Sequence, residues 1–350
     1  MGAVPDRLFA ARVFREEAEN EGFTRFGVAR AGEAPRYDRF ANWIAEGRHA
    51  GMRYLQATQQ VRRTPDALLR GARSVVCLAA PYSAAPYVAS DGARFARYAR
   101  GTDYHGTLRR RALRAAERTW ERLGGGWGYR VCVDSTPLAE RSFAAAAGVG
   151  WIGKNGCLID PVQGSYLLLA EILTDLDLPE DEPIAERCGA CVLCLEACPT
   201  EAFLSPGLLD SARCLAYWTI EHRGVIPDPW KNALDDSVFG CDICQEVCPW
   251  NASLPAVAAQ SSQALPMPNA LPPTRAEILA MGGGEWRRRF GNTAVNRAGR
   301  RGLQRNAAAS AGARRDAACL PVLQNARGVG EAGLADAAGW ATARLQTLPL

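Results

Sequence analysis

Apolar positions in the first half of the chain follow two different periods. Helical spacing extends over residues 11–23 and again over 109–123, where three glycines, Gly124 to Gly126, end the pattern. Apolar or alternating runs at 73–82, 129–135 and 164–174 predict β-strands. We therefore predict an α+β domain over residues 1–180.

The second half of the chain changes character twice. A charged, proline-containing stretch at 178–187 leads into a cysteine-rich segment, which we predict to be a separate domain at 181–255. A low-complexity stretch rich in proline, alanine and serine follows Asn251. From Ala276 onward the helical spacing returns, in short segments of the kind found in helical repeats. We predict a short, HEAT-like helical region within residues 256–350.

Composition limits the class of protein. No apolar run approaches the roughly 20 residues that cross a bilayer, and acidic residues near the start argue against a secretory signal. We expect a soluble, cytoplasmic monomer without a membrane partner. Thiols stay reduced in the cytosol, so the twelve cysteines indicate metal ligation rather than disulfides; eight of them lie between residues 188 and 248.

Charge distinguishes one segment. The net charge is only +4, but residues 287–315 contain nine arginines and no acidic residue. Such a run is either a solvated helical face or a surface for nucleic-acid phosphates.

The cysteine spacing is specific. The run Cys188-x2-Cys191-x2-Cys194-x3-Cys198-Pro is a ferredoxin pattern, in which three thiolates bind one [4Fe–4S] cluster and the fourth binds a second cluster. The second run supplies three more cysteines, and Cys214 lies between the runs. The predicted ligands of the first cluster are Cys188, Cys191, Cys194 and Cys248. Those of the second are Cys198, Cys214, Cys241 and Cys244.

Two zinc sites, each with four cysteine ligands, are the alternative. Zinc requires neither this interleaving nor the proline that follows each run. The remaining cysteines are expected to pack in the core; they are Cys77, Cys132, Cys157 and Cys319.

Several stretches beyond the cysteines carry a resemblance to a known family. They are residues 133–159, 164–178, 214–227, 239–251, the Asp103–His105 tripeptide and the arginine-rich C-terminal stretch. Together they resemble the epoxyqueuosine reductases, which complete queuosine at the wobble position of tRNA anticodons. The similarity covers essentially residues 5–310.

The resemblance implies a ferredoxin-like domain and a nitroreductase-like domain that binds cobalamin. Such an enzyme reduces epoxyqueuosine in tRNA to queuosine, removing the epoxide oxygen as water with two electrons and two protons. Two [4Fe–4S] clusters would feed the cobalamin, and an external reductant protein or chemical donor would feed the clusters. No DxHxxG motif occurs, so we expect cobalamin without a protein imidazole ligand.

The resemblance also implies site residues. Asp134 would be the proton donor that the departing oxygen needs, although an aspartate before Ser135, Thr136 and Pro137 is otherwise typical of a turn or helix cap. The predicted cofactor-binding residues are Arg62, Asp134, Leu158, Leu169, Ala216, Cys241 and Asp242. Lys154 and Asn155 are either corrin contacts or loop residues.

The remaining predicted contacts are with RNA, where arginines pair with phosphates and amides can read base edges. They are Arg141, Arg297, Arg300, Arg301, Gln304, Arg305 and Asn306. Two other functions stay open: a reductive dehalogenase-like corrinoid enzyme and an electron-transfer ferredoxin. Reductive dehalogenases generally carry a twin-arginine signal. An electron-transfer ferredoxin does not need the roughly 180 residues of specific sequence that precede the clusters.

Overall fold

The computed structural model describes residues 6–252, 271–328 and 330–347. Most of the low-complexity stretch after Asn251 lies outside the described residues. No helix in the described parts of the chain is long and apolar enough to cross a bilayer.

A four-stranded antiparallel sheet organises the first 180 residues. Its strands are β1 (Arg25–Arg30), β2 (Ser74–Pro81), β5 (Tyr129–Cys132) and β8 (Leu167–Thr174), in the order β1-β2-β8-β5. Every residue of β2 is buried. Successive side chains of a strand point to opposite faces, so a continuous apolar run means that both faces of the sheet are covered.

Three helices cover those faces. Helices α1 (Arg7–Asn20) and α4 (Tyr104–Arg122) pack on the face that contains Val76 and Leu78. Helix α5 (Glu140–Ala146) packs on the face that contains Cys77 and Leu173. The loop between β5 and α5 therefore lies at one edge of this two-sided core, and it contains Asp134.

The cysteine-rich segment is made of short elements. Helix α6 (Leu193–Glu196) contains Cys194, helix α8 (Ile243–Glu246) contains Cys244, and a π-helix (Tyr217–Glu221) follows Cys214. The other short elements before residue 252 are α2 (Tyr37–Ala45), α3 (Arg53–Ala57), β3 (Tyr87–Val88), β4 (Arg94–Phe95), β6 (Trp151–Ile152), β7 (Leu158–Ile159), β9 (Phe203–Ser205), β10 (Leu208–Leu209), α7 (Asp228–Leu234), β11 (Ser237–Phe239) and the 3₁₀ helices Val61–Arg63, Pro65–Ala67, Arg97–Ala99, Ser211–Arg213 and Pro249–Asn251.

The C-terminal region is built around one alanine-rich helix. Its elements are α9 (Arg275–Ala280), α10 (Gly283–Phe290), the 3₁₀ helix Ala294–Ala298, α11 (Gly299–Arg314), the 3₁₀ helix Ala317–Cys319, α12 (Leu320–Arg327) and α13 (Ala332–Gln346). Helix α11 is buried almost throughout. A Cβ added at Gly312 would lie 2.5 Å from the Trp340 ring, so glycine permits the close approach of α11 to α13.

These helices share a hydrophobic core with earlier parts of the chain. Phe95, Leu215 and Phe239 pack in the same cluster as residues from α9 to α13. The α+β class, the clustered cysteines and the C-terminal helices are confirmed. The division at residues 180 and 255 stays a prediction, because segments assigned to different domains pack together.

Candidate active site

A cavity of about 790 Å³ opens where the sheet domain, the cysteine-rich segment and the C-terminal helices meet. Binding pockets for small molecules typically have volumes of about 300–1,000 Å³. Asp134 and Arg62 reach it from the sheet domain, Cys214 and Ala216 from the cysteine-rich segment, and Arg297 from the C-terminal region. Residues far apart in sequence therefore line a single cavity.

Asp134 lies on the cavity wall in an unusual backbone conformation. Its φ is +39°, in the left-handed region that residues other than glycine rarely adopt. Its Oδ2 accepts a hydrogen bond from the Tyr104 hydroxyl at 2.9 Å and lies 2.5 Å from His105 Nε2. The carboxyl group is thus fixed by two side chains from the first turn of α4.

His105 is held between two carboxylates. Its Nδ1 lies 2.6 Å from Asp103 Oδ1, and the same Asp103 oxygen caps α4 by accepting the His105 backbone N–H. The hydrogen bond with Asp134, partly opposed by burial, raises the pKa of His105 to about 9. Burial tends to raise the pKa of Asp134, but the hydrogen bond and charge of His105 outweigh it and lower that pKa. At neutral pH the proton therefore rests on His105, next to an ionised Asp134.

Sequence reasoning missed His105 as a functional residue. The Asp103–His105 tripeptide contributed to the family resemblance, but nothing in the sequence joined His105 to Asp134, which is 29 residues away. The available signal was Asp103, an N-cap aspartate directly before a tyrosine and a histidine.

The predicted cofactor-binding residues divide into two sets. Arg62, Asp134 and Ala216 line the cavity. Leu158 and Leu169 pack under α5, while Cys241 and Asp242 border a separate cavity of about 120 Å³. Asp242 is buried and accepts the Arg97 backbone N–H at 2.7 Å. The structure therefore does not bring the seven residues together around one cavity.

The eight clustered cysteines form two neighbouring groups, and all are free thiols. Cys194 is within electrostatic range of Cys188, Cys191 and Cys248. Cys241 is within range of Cys198 and Cys214, and Cys244 is within range of Cys241 and Cys214 and also of Cys194 in the first group. This grouping interleaves the two sequence runs, which is the pattern that two adjacent four-cysteine clusters need. Cys214 also borders the large cavity.

Lys154 and Asn155 support the cysteine loops rather than the cavity. The Lys154 ammonium donates to the carbonyls of Gly189 and Cys191, the latter at 3.0 Å. The Asn155 amide donates to the Cys244 carbonyl at 3.4 Å. The segment at residues 151–156 thus contacts loops from both cysteine runs.

The thiol groups and the cavity fit the cofactors that the sequence predicts. Two sets of four thiols match two [4Fe–4S] clusters. The large cavity begins beside the second set, and small side chains such as Ala216, Ser135 and Ser211 leave space next to it. Arg62, Asp134 and Ala216 line the space that a corrin would occupy.

The predicted RNA contacts also divide into two sets. Arg297 is exposed at the cavity, where its Nε and Nη2 pair with Glu221 at 3.0 and 2.7 Å and its guanidinium lies over the Tyr54 ring. Arg300 and Arg301 are half-buried on the first turn of α11. Arg141 is exposed, and its guanidinium donates to the Gly156 carbonyl.

Gln304, Arg305 and Asn306 are buried, which does not agree with their prediction as RNA contacts. The Arg305 guanidinium donates to the carbonyls of Trp218, His222 and Gly224. Asn306 donates to carbonyls of the π-helix and β11, and Gln304 to carbonyls at the end of α9. These polar side chains satisfy backbone acceptors that would otherwise be buried without donors.

Two family models match the chain. Residues 62–135 match the model described as epoxyqueuosine reductase QueG, DUF1730, and residues 187–251 match the 4Fe-4S double cluster binding domain. An epoxyqueuosine reductase of Xanthomonas campestris pv. campestris is 41% identical over 71% of this chain and 72% of its own length. One from Cellulophaga algicola is 34% identical over 84% of this chain and 95% of its own length.

Solved structures agree in fold over nearly the whole chain. A crystal structure of epoxyqueuosine reductase with an epoxyqueuosine-modified tRNA-Tyr stem loop aligns with a TM-score of 0.83 at 28% identity, covering 95% of this chain and 89% of that one. A structure of the Bacillus subtilis epoxyqueuosine reductase, with its catalytic aspartate loop swung out of the active site, aligns with a TM-score of 0.82 at 28% identity, covering 95% of this chain and 90% of that one.

Proposed function

The chain belongs to the epoxyqueuosine reductase family, and from this we propose that it reduces epoxyqueuosine to queuosine in tRNA, with Asp134 and His105 supplying a proton in the large cavity. The family that the sequence resembled is thereby confirmed. The protein is an oxidoreductase. The observation that supports this assignment is the cavity itself, whose lining includes both Asp134 and Cys214 of the second cysteine group.

The cysteines provide the electron path. The group of Cys188, Cys191, Cys194 and Cys248 binds one [4Fe–4S] cluster, and the group that includes Cys214 binds the other, next to the cavity. Cobalamin, when bound there, supplies the reducing centre for the carbon–oxygen bond. Arg62, Ser135 and Ala216 are the residues of this chain that would contact it.

The proton path begins at His105. The imidazolium transfers its proton from Nε2 to Asp134 Oδ2, and Asp134 passes a proton to the departing epoxide oxygen. Asp103 holds the other ring nitrogen, so the imidazole keeps one orientation while it loses and regains its proton. Once His105 regains a proton, its positive charge would stabilise the Asp134 carboxylate that remains.

The arginines around the cavity are suited to RNA. Arg297 lies on the cavity wall, and Arg300 and Arg301 follow it on α11, so these three form a basic patch for anticodon-loop phosphates. The substrate is tRNA that carries epoxyqueuosine, which places the enzyme in the cytoplasm. We further propose that it acts as a monomer and takes its electrons from a separate reductant.

Anaerobic reconstitution tests this function. The protein, loaded with iron, sulfide and cobalamin, is incubated with an epoxyqueuosine-bearing tRNA and a strong reductant, and the nucleosides are analysed by mass spectrometry. We expect queuosine to form only when cobalamin is present. Conversion of a halogenated aromatic compound without conversion of the tRNA would favour the dehalogenase alternative, and absence of a corrin band after reconstitution would favour the ferredoxin alternative.

A further inference from the structure

Glu171 is an acidic residue buried in the centre of the main sheet. It lies on β8, paired with Cys77 on β2 and Cys132 on β5. Its side chain is fully buried, and neither carboxyl oxygen accepts a hydrogen bond from an N–H or O–H donor in the described parts of the chain. An isolated carboxylate in such a place would be strongly destabilising, so the group takes up a proton instead.

The polar group that Glu171 faces is a second carboxyl group. Glu140, the first residue of α5, lies within hydrogen-bonding reach of Glu171, and its Oε1 is likewise buried without a donor. Two carboxylates in contact repel each other, whereas a carboxylic acid donates its O–H to its neighbour. One proton on the pair would therefore satisfy atoms that otherwise have no partner.

Glu140 also contacts the loop that carries the proposed proton donor. The Asp134 backbone N–H faces the Glu140 carboxyl group and acts to lower its pKa, against the larger effect of burial. The positive φ of Asp134 is strained for an aspartate and persists only if its surroundings hold it. Tyr104 and His105 hold the Asp134 carboxyl group, and the Glu140 carboxyl group lies beside its main chain.

The groups around the pair favour the protonated form. Burial, and then the charge of Asp134, raise the pKa of Glu140 to about 8, and burial together with Glu140 raises the pKa of Glu171 well above its ordinary value. The titratable and charged groups that face the pair are Arg62, Cys77, Tyr104, Cys132, Asp134 and Arg141. The two arginines oppose protonation of Glu140, but both already donate to other acceptors.

We propose that Glu140 and Glu171 form a hydrogen-bonded carboxyl pair that keeps at least one proton at neutral pH and positions Asp134 through its backbone N–H. Both are positioning residues, since they act on the reaction through Asp134. The consequence for activity rests on the proposed function, whereas the protonation of the pair does not. Loss of the proton would place a further negative charge beside Asp134.

Infrared difference spectroscopy of the holoenzyme tests the protonation directly. We expect the carbonyl stretching band of a protonated carboxylic acid, shifted in D₂O, that weakens as the pH rises through about 8. Glu140→Gln and Glu171→Gln should each alter this band, and the double variant should remove it. The control is Asp160→Asn, a carboxyl group that is equally buried but ion-paired with Arg25, which should leave the band unchanged. A wild-type spectrum without the band at neutral pH, or a band that survives in the double variant, overturns the pair.

Turnover of an epoxyqueuosine-bearing stem loop tests the positioning. Glutamine at position 140 retains an acceptor for the Asp134 N–H, so the turnover of Glu140→Gln should stay within about threefold of the wild type at neutral pH. This variant should also lose the decline in turnover that we expect for the wild type near pH 8. The turnover of Glu140→Ala should fall at least about tenfold at every pH, with unchanged KM. Equal impairment of both variants, or full activity of the alanine variant, overturns the positioning role. If even the wild type is inactive, the proposed function fails while the infrared result still decides the pair.

Discussion

The imidazole of His105 and the carboxyl group of Asp134 are joined by a 2.5 Å contact between Nε2 and Oδ2. Replacing Asp134 with asparagine preserves the shape and the contact with Tyr104 but removes the group that transfers the proton. We expect Asp134→Asn to retain both clusters and cobalamin while its turnover falls on the order of 10²-fold or more. Single-turnover assays and visible spectra measure the two quantities. Asp6→Asn, which alters an exposed helix cap away from the cavity, is the control; near-normal turnover of Asp134→Asn would assign the proton to another group.

The raised pKa of His105 predicts how stability depends on pH. The folded protein binds this proton more tightly than the unfolded chain does, with the pKa rising from 6.5 to about 9. The stabilisation is therefore complete below about pH 6.5 and is lost as the pH rises through about 9. His105→Gln should flatten the decline of the free energy of unfolding in this window, measured by anaerobic denaturant titration at several pH values.

His222→Gln is the matched control for that measurement. Burial lowers the pKa of His222, so removing this histidine should change the pH dependence on the acidic side of the ordinary histidine range. A flattened alkaline decline in His222→Gln, or an unchanged one in His105→Gln, would contradict the assignment.

Cys214 belongs to the second group of cysteines whereas Cys157 only lies near it, so replacing them should have different effects on iron content. Two four-iron clusters predict about eight irons per chain, and Cys214→Ala should remove up to about four of them. Cys157 also lies near Cys244, but sequence and grouping assign it no cluster. Cys157→Ala should therefore keep the full iron content, measured by chemical iron analysis after reconstitution. Loss of iron in Cys157→Ala together with full iron content in Cys214→Ala would mean that Cys157, and not Cys214, is the cluster ligand.

Arg300 and Arg301 should contribute to binding through phosphate charge. Each replacement by glutamine should weaken tRNA binding and lower the slope of log K against log salt by roughly 0.7 to 0.9. Filter binding at several salt concentrations measures this slope. Arg12→Gln, at an exposed position on helix α1, is the control and should leave the slope unchanged. An unchanged slope in the Arg300→Gln/Arg301→Gln variant would mean that this part of the patch does not meet phosphates.

Arg305 should matter for stability instead. Arg305→Leu leaves the carbonyls of Trp218, His222 and Gly224 without this donor. Each buried acceptor without a donor costs about 1–3 kcal/mol, so the free energy of unfolding should fall by about 3 kcal/mol or more. Arg314→Leu, at an exposed arginine paired with Asp235, should have a much smaller effect on the free energy of unfolding, because water screens an exposed ion pair. Equal losses in the two variants would contradict the structural role of Arg305.

The sequence predicted the positions of strands and helices better than it predicted which side chains of those elements are buried. The runs at 73–82 and 164–174 have a length and composition typical of buried strands, and they form β2 and β8. The basic stretch resembles the RNA-facing segment of the family, and this resemblance predicts Arg305 as an RNA contact at the surface. The burial of Arg305 depends on a carbonyl of the π-helix, that of Trp218, which is free to accept from its guanidinium. No pattern within α11 itself reveals that acceptor.

The chemistry of the site was predicted unevenly for a similar reason. Cysteine ligands repeat at short intervals, so their grouping can be inferred from spacing. Asp134, His105 and Glu171 lie on three different elements, and their relationship arises only when the sheet, α4 and α5 pack together. The leucines predicted at the cofactor were placed by resemblance alone, and their side chains belong to the sheet core.

The side chains of Arg305 and Asn306 bind the main chain of the segment that follows Cys214, and Phe95 packs among the same C-terminal helices. A chain shortened to end at residue 252 would therefore lose more than a surface for RNA. It would expose an apolar face on the cysteine-rich segment and leave the ligand loop of the second cluster unsupported. The sequence suggests separate domains, but the cysteine-rich segment depends on the C-terminal helices for its packing. In protein engineering it should therefore not be expressed alone or transferred to another protein without those helices.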